Sequence, residues 1–115
     1  MNVEEIVLST PVPRDPEGYL LDPDNWSEDI AVAIAGEERI TLQEDYWPIL
    51  RFMREYHEEN RVAPDVRHVV EFLAGETGVG KREAKDKLFR LFPYGYVKQA
   101  CKIAGMMKPR AWSTG

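Results

Sequence analysis

Leu91-Phe92-Pro93-Tyr94-Gly95-Tyr96-Val97-Lys98-Gln99-Ala100-Cys101-Lys102-Ile103-Ala104-Gly105-Met106-Met107-Lys108-Pro109 holds the only cysteine of this 115-residue chain, set among lysines. Small residues, one thiol, flanking cations and a proline-containing tail describe a sulfur on or near a movable arm. Pro93 and Gly95 end any helix that precedes them, and a short helix over about residues 96–104 is expected to follow. Lys98 and Lys102 stand at i−3 and i+1 from Cys101. Positive neighbours favour the thiolate, the form that acts as nucleophile or sulfur carrier. A free cysteine in a core is also commonly an inert small hydrophobe, so the local residues leave both readings open.

Working outward, the apolar spacing predicts four more helices. The first starts near residue 26 or 27 and runs to about 36, with Trp26, Ile30 and Ile34 on one face. Thr41 with Glu44 three residues on forms a capping-box pattern for the second. Pro48 then either kinks that helix or marks its true first turn, and Ile49, Leu50, Met53 and Tyr56 carry the stripe to about residue 57 or 59. A third starts after Ala63-Pro64-Asp65, with Val66, Val69, Val70 and Leu73 at i, i+3, i+4 and i+7. A glycine-rich connection over residues 75–80 leads to a fourth over about 81–92, with Ala84, Leu88 and Phe89 inward. At the N-terminal end, residues 3–12 and the run Tyr19-Leu20-Leu21 flank the turn cluster Arg14-Asp15-Pro16-Glu17-Gly18, which predicts a β-hairpin. The expected fold class is therefore mainly α with a small β-hairpin (α+β): a compact helical bundle of about five helices. It forms one domain over residues 1–115, with residues 105–115 as a mobile C-terminal arm.

Composition narrows the function classes. A content of 43% hydrophobic and 30% charged residues is that of an ordinary soluble domain, and no apolar run approaches the roughly 20 residues that span a bilayer. The acidic start, Met1-Asn2-Val3-Glu4-Glu5, does not read as a secretory or organelle leader, so the cytoplasm is the expected compartment. One cysteine excludes an internal disulfide and any zinc site with two or more thiolates. The net charge of −5 hides a gradient: residues 1–60 hold 15 acidic and 4 basic side chains, residues 61–115 hold 5 and 11. Such a gradient can orient the protein against an oppositely charged partner, or it can be two solvated faces of different sign.

Several motifs fall short of their chemistry. Gly75-Glu76-Thr77-Gly78-Val79-Gly80-Lys81-Arg82 imitates a phosphate loop, but Arg82 offers no hydroxyl for magnesium and the preceding segment has helical rather than strand period; no nucleotide is expected. Residues 64–92 have helix–turn–helix proportions, and Lys81, Arg82, Lys85, Lys87 and Arg90 lie on the second helix. Glu83, Asp86 and the chain's net acidity count against DNA as the main partner. His57 and His68 stand in no metal-binding spacing, so no metal is expected, and no serine lies in a nucleophile elbow.

The string Lys98-Gln99-Ala100-Cys101-Lys102-Ile103-Ala104-Gly105, together with Leu91-Phe92-Pro93, Gly95 and Lys108-Pro109, resembles the C-terminal arm of the DsrC/TusE/DsvC family of sulfur-relay proteins. Gly18-Tyr19-Leu20, Trp26-Ser27-Glu28-Asp29-Ile30-Ala31, Phe52-Met53-Arg54 and Pro64 extend the resemblance over nearly the whole chain. It implies a helical bundle with an N-terminal hairpin and a mobile arm, no cofactor, and sulfite reductase or other sulfur-relay proteins as partners. It also implies that the arm cysteines accept and pass sulfur. Cys101 aligns with the upstream arm cysteine and is the candidate persulfide carrier, with Lys98, Lys102, Lys108 and Arg110 as candidate partner contacts. The penultimate family cysteine falls at Trp112, and two arm prolines are replaced by Tyr96 and Met107. A tryptophan cannot form a persulfide, so a two-cysteine cycle cannot run within this chain. The resemblance thus implies a carrier or partner subunit acting through Cys101, more a carrier than a stand-alone catalyst. The alternatives are a regulatory or docking paralogue without sulfur transfer and, further off, a DNA-binding regulator.

Overall fold

A computed structural model describes residues 12–108. Among them are four α-helices: α1 (Glu28–Glu37), α2 (Trp47–Asn60), α3 (Val66–Thr77) and α4 (Lys81–Leu91). A single 3-10 turn (Pro23–Asn25) precedes α1, and a π-helix (Tyr96–Cys101) follows α4.

The helix starts follow from local chemistry. Ser27 Oγ accepts the Ile30 N–H at 3.2 Å and caps α1, and Asp65 Oδ1 accepts the Arg67 N–H at 2.9 Å at the start of α3. The capping box predicted at Thr41 does not start α2; residues 41–46 are irregular or turn, and the helix begins at Trp47. Proline has no N–H to give to an earlier turn, so Pro48 sits in the first turn, where none is needed. Helix α3 runs past Gly75 to Thr77, which shortens the glycine-rich connection to residues 78–80.

Among the described residues the predicted N-terminal β-hairpin does not form. Its first arm falls largely on residues 1–11, outside the described residues. Within the described ones there is no strand, only an isolated antiparallel bridge between Arg14 and Leu20. The cause lies in the turn cluster. Pro13 and Pro16 have no N–H to donate, and the Asp15 carboxylate takes the N–H groups of Glu17 and Tyr19, both at 2.9 Å. The ladder therefore stops after the backbone pairs Asp15–Tyr19 and Leu21–Pro13. What the turn does instead is bury Tyr19 and Leu20 against the helices. Every regular element of the described part is a helix.

The core is organised around the C-terminal motif. Phe92, Tyr96, Val97, Ala100, Cys101, Ile103, Ala104 and Met106 are all buried, surrounded by Ala31, Ile34 and Ala35 of α1, Ile49, Leu50 and Met53 of α2, Val69 and Leu73 of α3, and Ala84 and Leu88 of α4. Each fully buried aliphatic side chain contributes roughly 1.5–3 kcal/mol. The π-helix and the turn after it leave carbonyls that lack the usual helical partner, and polar tips from elsewhere in the chain meet them. Tyr19 OH donates to Val97 O at 3.0 Å, Trp26 Nε1 to Ile103 O at 2.9 Å and Arg54 Nη1 to Ala104 O at 3.0 Å. The carbonyl at the end of α4 is met in the same way, Tyr46 OH donating to Leu91 O at 3.0 Å.

Candidate functional site

Cys101 ends the π-helix, with its side chain fully buried. The wider π turn brings residues five apart over one another, so Tyr96 and Cys101 share a face. The Tyr96 hydroxyl donates its one hydrogen to Pro64 O, and its oxygen lies within hydrogen-bond reach of the Cys101 thiol. Burial pushes the thiol up to about 12 from an ordinary value of 9.0, and the Tyr96 hydroxyl offsets only part of that. Burial likewise raises the Tyr96 hydroxyl. In this arrangement the thiol is protonated at neutral pH, the opposite of what the flanking lysines suggest from sequence.

The lysines are engaged elsewhere. Lys102 Nζ lies 3.2 Å from Glu38 Oε2 and 5.2 Å from the centre of the Tyr19 ring. Lys108 pairs with Glu17. Lys98 is exposed. Lys98 and Lys102 share the wall of an open cleft of about 500 Å³ with Glu17, Tyr19, Glu38 and Tyr94. The buried Gln99 side chain ties two of these residues together, accepting the Tyr94 N–H at 3.0 Å and donating to Glu38 Oε1 at 3.2 Å. Burial also raises the Tyr19 hydroxyl to about 12. Three of the predicted partner contacts thus gather at one face, while Cys101 lies in the core. Arg110 falls outside the described residues, as does Trp112. Of the expected arm, Met106 is buried and Met107 is exposed.

Sequence reasoning missed the rest of the cleft. Tyr94 lies within the quoted motif, 74% exposed, and an aromatic ring left in solvent between a proline and a glycine was a signal that could have marked it. Glu17 and Glu38 are 91 and 64 residues from the lysines they pair with, and no local pattern announces them.

Gly95 and Gly105 set the limits of the segment. Gly95, at φ 109° and ψ 156°, turns the chain from Pro93 and Tyr94 into the π-helix in a region closed to other residues. Gly105 has φ 78°, and a Cβ there would fall 2.4 Å from Cδ1 of Trp26. Both glycines therefore answer to backbone geometry rather than to chemistry.

Among the described residues no group of three or more His, Cys, Asp or Glu side chains is placed to hold a metal ion, and no helix is long and apolar enough to cross a membrane. The sequence model of the family described as "DsrC like protein" matches residues 7–111. Sulfurtransferase TusE of Salmonella typhimurium is 44% identical over 98 residues, 85% of this chain and 89% of that one. Sulfurtransferase TusE of Escherichia coli is 42% identical over the same shares. The oxidized gamma-subunit of the dissimilatory sulfite reductase (DsrC) of Archaeoglobus fulgidus superposes with a TM-score of 0.76 at 34% identity, over 87% of this chain and 90% of that one. Allochromatium vinosum DsrC gives 0.72 at 39%, over 85% and 87%. A family match over most of the chain, relatives above 40% identity and a shared fold converge: the chain belongs to the DsrC-like family and is a sulfur-relay protein of the DsrC/TusE type.

Proposed function

We propose that this chain serves the sulfur relay as a docking partner, binding another relay protein or a sulfite reductase without itself carrying the sulfur. The observation that supports this reading is the burial of Cys101: its side chain has no exposure, and that burial raises the thiol above its ordinary value. A thiol must be both reachable and ionised to take sulfur from a persulfide. Trp112 at the position of the penultimate family cysteine points the same way. What the chain offers a partner is the face around the cleft, with the exposed Tyr94 ring, the Lys98 ammonium and the Lys108–Glu17 pair. Aromatic and cationic groups at the mouth of a cleft suit an acidic, partly apolar protein surface. The lone unpaired thiol favours the cytoplasm as the compartment.

Two measurements test the reading. Folded wild-type protein incubated with a persulfide donor at neutral pH is expected to keep its mass by intact-protein mass spectrometry. Gain of one sulfur atom, abolished in Cys101→Ser, would make Cys101 the carrier and remove the docking reading. In parallel, immobilised wild-type protein is expected to retain purified dissimilatory sulfite reductase or relay proteins. The pair Lys98→Glu with Tyr94→Ala should weaken that retention about tenfold or more.

A further inference from the structure

Arg54 is the one cation of the described residues that reaches two backbone carbonyls from separate parts of the chain. Its Nη1 donates to Ala104 O at 3.0 Å and its Nη2 to Pro23 O at 2.9 Å, and the guanidinium lies 4.7 Å from the centre of the Trp26 ring. The Trp26 indole N–H in turn donates to Ile103 O at 2.9 Å. Gly105 closes against the same ring, so tightly that no side chain fits between them. Two side chains, one from the turn before α1 and one from α2, thus hold three consecutive residues, 103–105, through backbone groups alone. Beyond this grip Met106 is buried and its N–H donates to Cys101 O at 3.0 Å; Met107 and Lys108 then come to the surface.

We infer that Trp26 and Arg54 form a latch on the C-terminal segment, which holds residues 103–106 in the core and sets where Met107 and Lys108 emerge. Backbone hydrogen bonds can release and re-form without loss of side-chain identity, and a charged donor to a carbonyl is stronger than a neutral one. Burial pulls the Arg54 guanidinium down from its ordinary value. The Trp26 ring beside the guanidinium adds a cation–π contact to these bonds. When the latch opens, residues 103–106 leave as a unit, and the packing over the π-helix goes with them. The inference rests on the docking reading only for its consequence, that the latch places Lys108 on the partner face.

The chain contains a single cysteine, so its labelling rate reports exposure of that one site, by local opening or by global unfolding, and the urea dependence separates the two. The experiment measures release of thionitrobenzoate from Ellman's reagent by native protein across a urea series below the unfolding transition. In Arg54→Met the rate at zero urea is expected to rise about tenfold or more and to depend only weakly on urea, as local opening does. Trp26→Phe, which keeps a ring and loses the indole donor, should give a smaller rise of the same kind, and it decides the matter if Arg54→Met does not fold. An unchanged rate, or a rise that follows urea as steeply as global unfolding, would overturn the latch. No partner enters this measurement, so loss of the docking reading shows in the retention assay and loss of the latch shows here.

Discussion

Helix α4 and the π-helix look alike on paper: short, consecutive, each with lysines among small and apolar residues. In the folded chain they are opposites. Helix α4 buries only Ala84 and Leu88, one turn apart, and gives Lys81, Arg82, Lys85 and Arg90 to solvent. The π-helix buries Tyr96, Val97, Gln99, Ala100 and Cys101 and leaves Lys98 alone outside. A narrow apolar stripe at i, i+4 makes a surface helix; a segment of small and aromatic residues entered through one glycine and left through another makes a core. The lesson for Cys101 is that neighbours along the chain are not neighbours in space. Lys102 turns to Glu38, and the thiol faces Tyr96.

The contrast breaks most readily at Gly105. Its φ of 78° and the 2.4 Å approach of Trp26 to a would-be Cβ leave no room for alanine. Gly105→Ala is expected to cost about 3 kcal/mol in urea denaturation, from positive-φ strain and overpacking together. A cost below about 1 kcal/mol would mean that the indole moves aside freely and the segment is not built as a core.

The next largest effect is in pH. The folded Cys101 thiol sits at about 12 against 9.0 for an ordinary cysteine. Between those values the folded state holds a proton that the unfolded state has lost, so stability is complete below pH 9 and falls as pH rises toward 12. The slope approaches about 1.4 kcal/mol per pH unit for that one group. Tyr19, raised to about 12, adds to the decline in the same direction above pH 10. Urea midpoints at pH 8, 9 and 10 for wild type and Cys101→Ala should therefore diverge only above pH 9, with the variant losing less per unit. Parallel curves would show that the thiol reaches water in the folded state.

The smallest effect sharpens the other half of the comparison. Lys85→Ala, on the exposed face of α4, is expected to change stability by less than about 0.5 kcal/mol, in keeping with a solvated helix face. The ion pair Lys81–Glu71, 3.4 Å long and open to solvent, contributes little for the same reason.

Much of this was legible in order of chain. The stripes of α2, α3 and α4, the Ser27 region as a helix start and the break at Pro93 and Gly95 follow from periodicity, caps and breakers, all of which act within one or two turns. Of the two starts open for α2, the capping-box pattern at Thr41 and a first turn at Pro48, the structure takes the second, because a missing N–H outranks a favourable cap. The hairpin failed for a related reason: alternating apolar residues near a turn do not make a ladder when prolines and an aspartate side chain remove the N–H groups it needs. The candidate site was half legible. Cys101, Lys98, Lys102 and Lys108 stand in the quoted motif, but Glu17 and Glu38 come to them from far along the chain.

By itself, the sequence determined the family, the helical character and the absence of a second thiol, because each is written in residue identity and local spacing. Only the tertiary structure decided which way Cys101 faces and what holds its segment in place. Burial and ion pairing are properties of groups that meet across dozens of residues. Trp26, Arg54 and Glu38 act on the C-terminal motif through contacts that no local window contains, and it is those contacts that turn a thiol flanked by lysines into a protonated core residue.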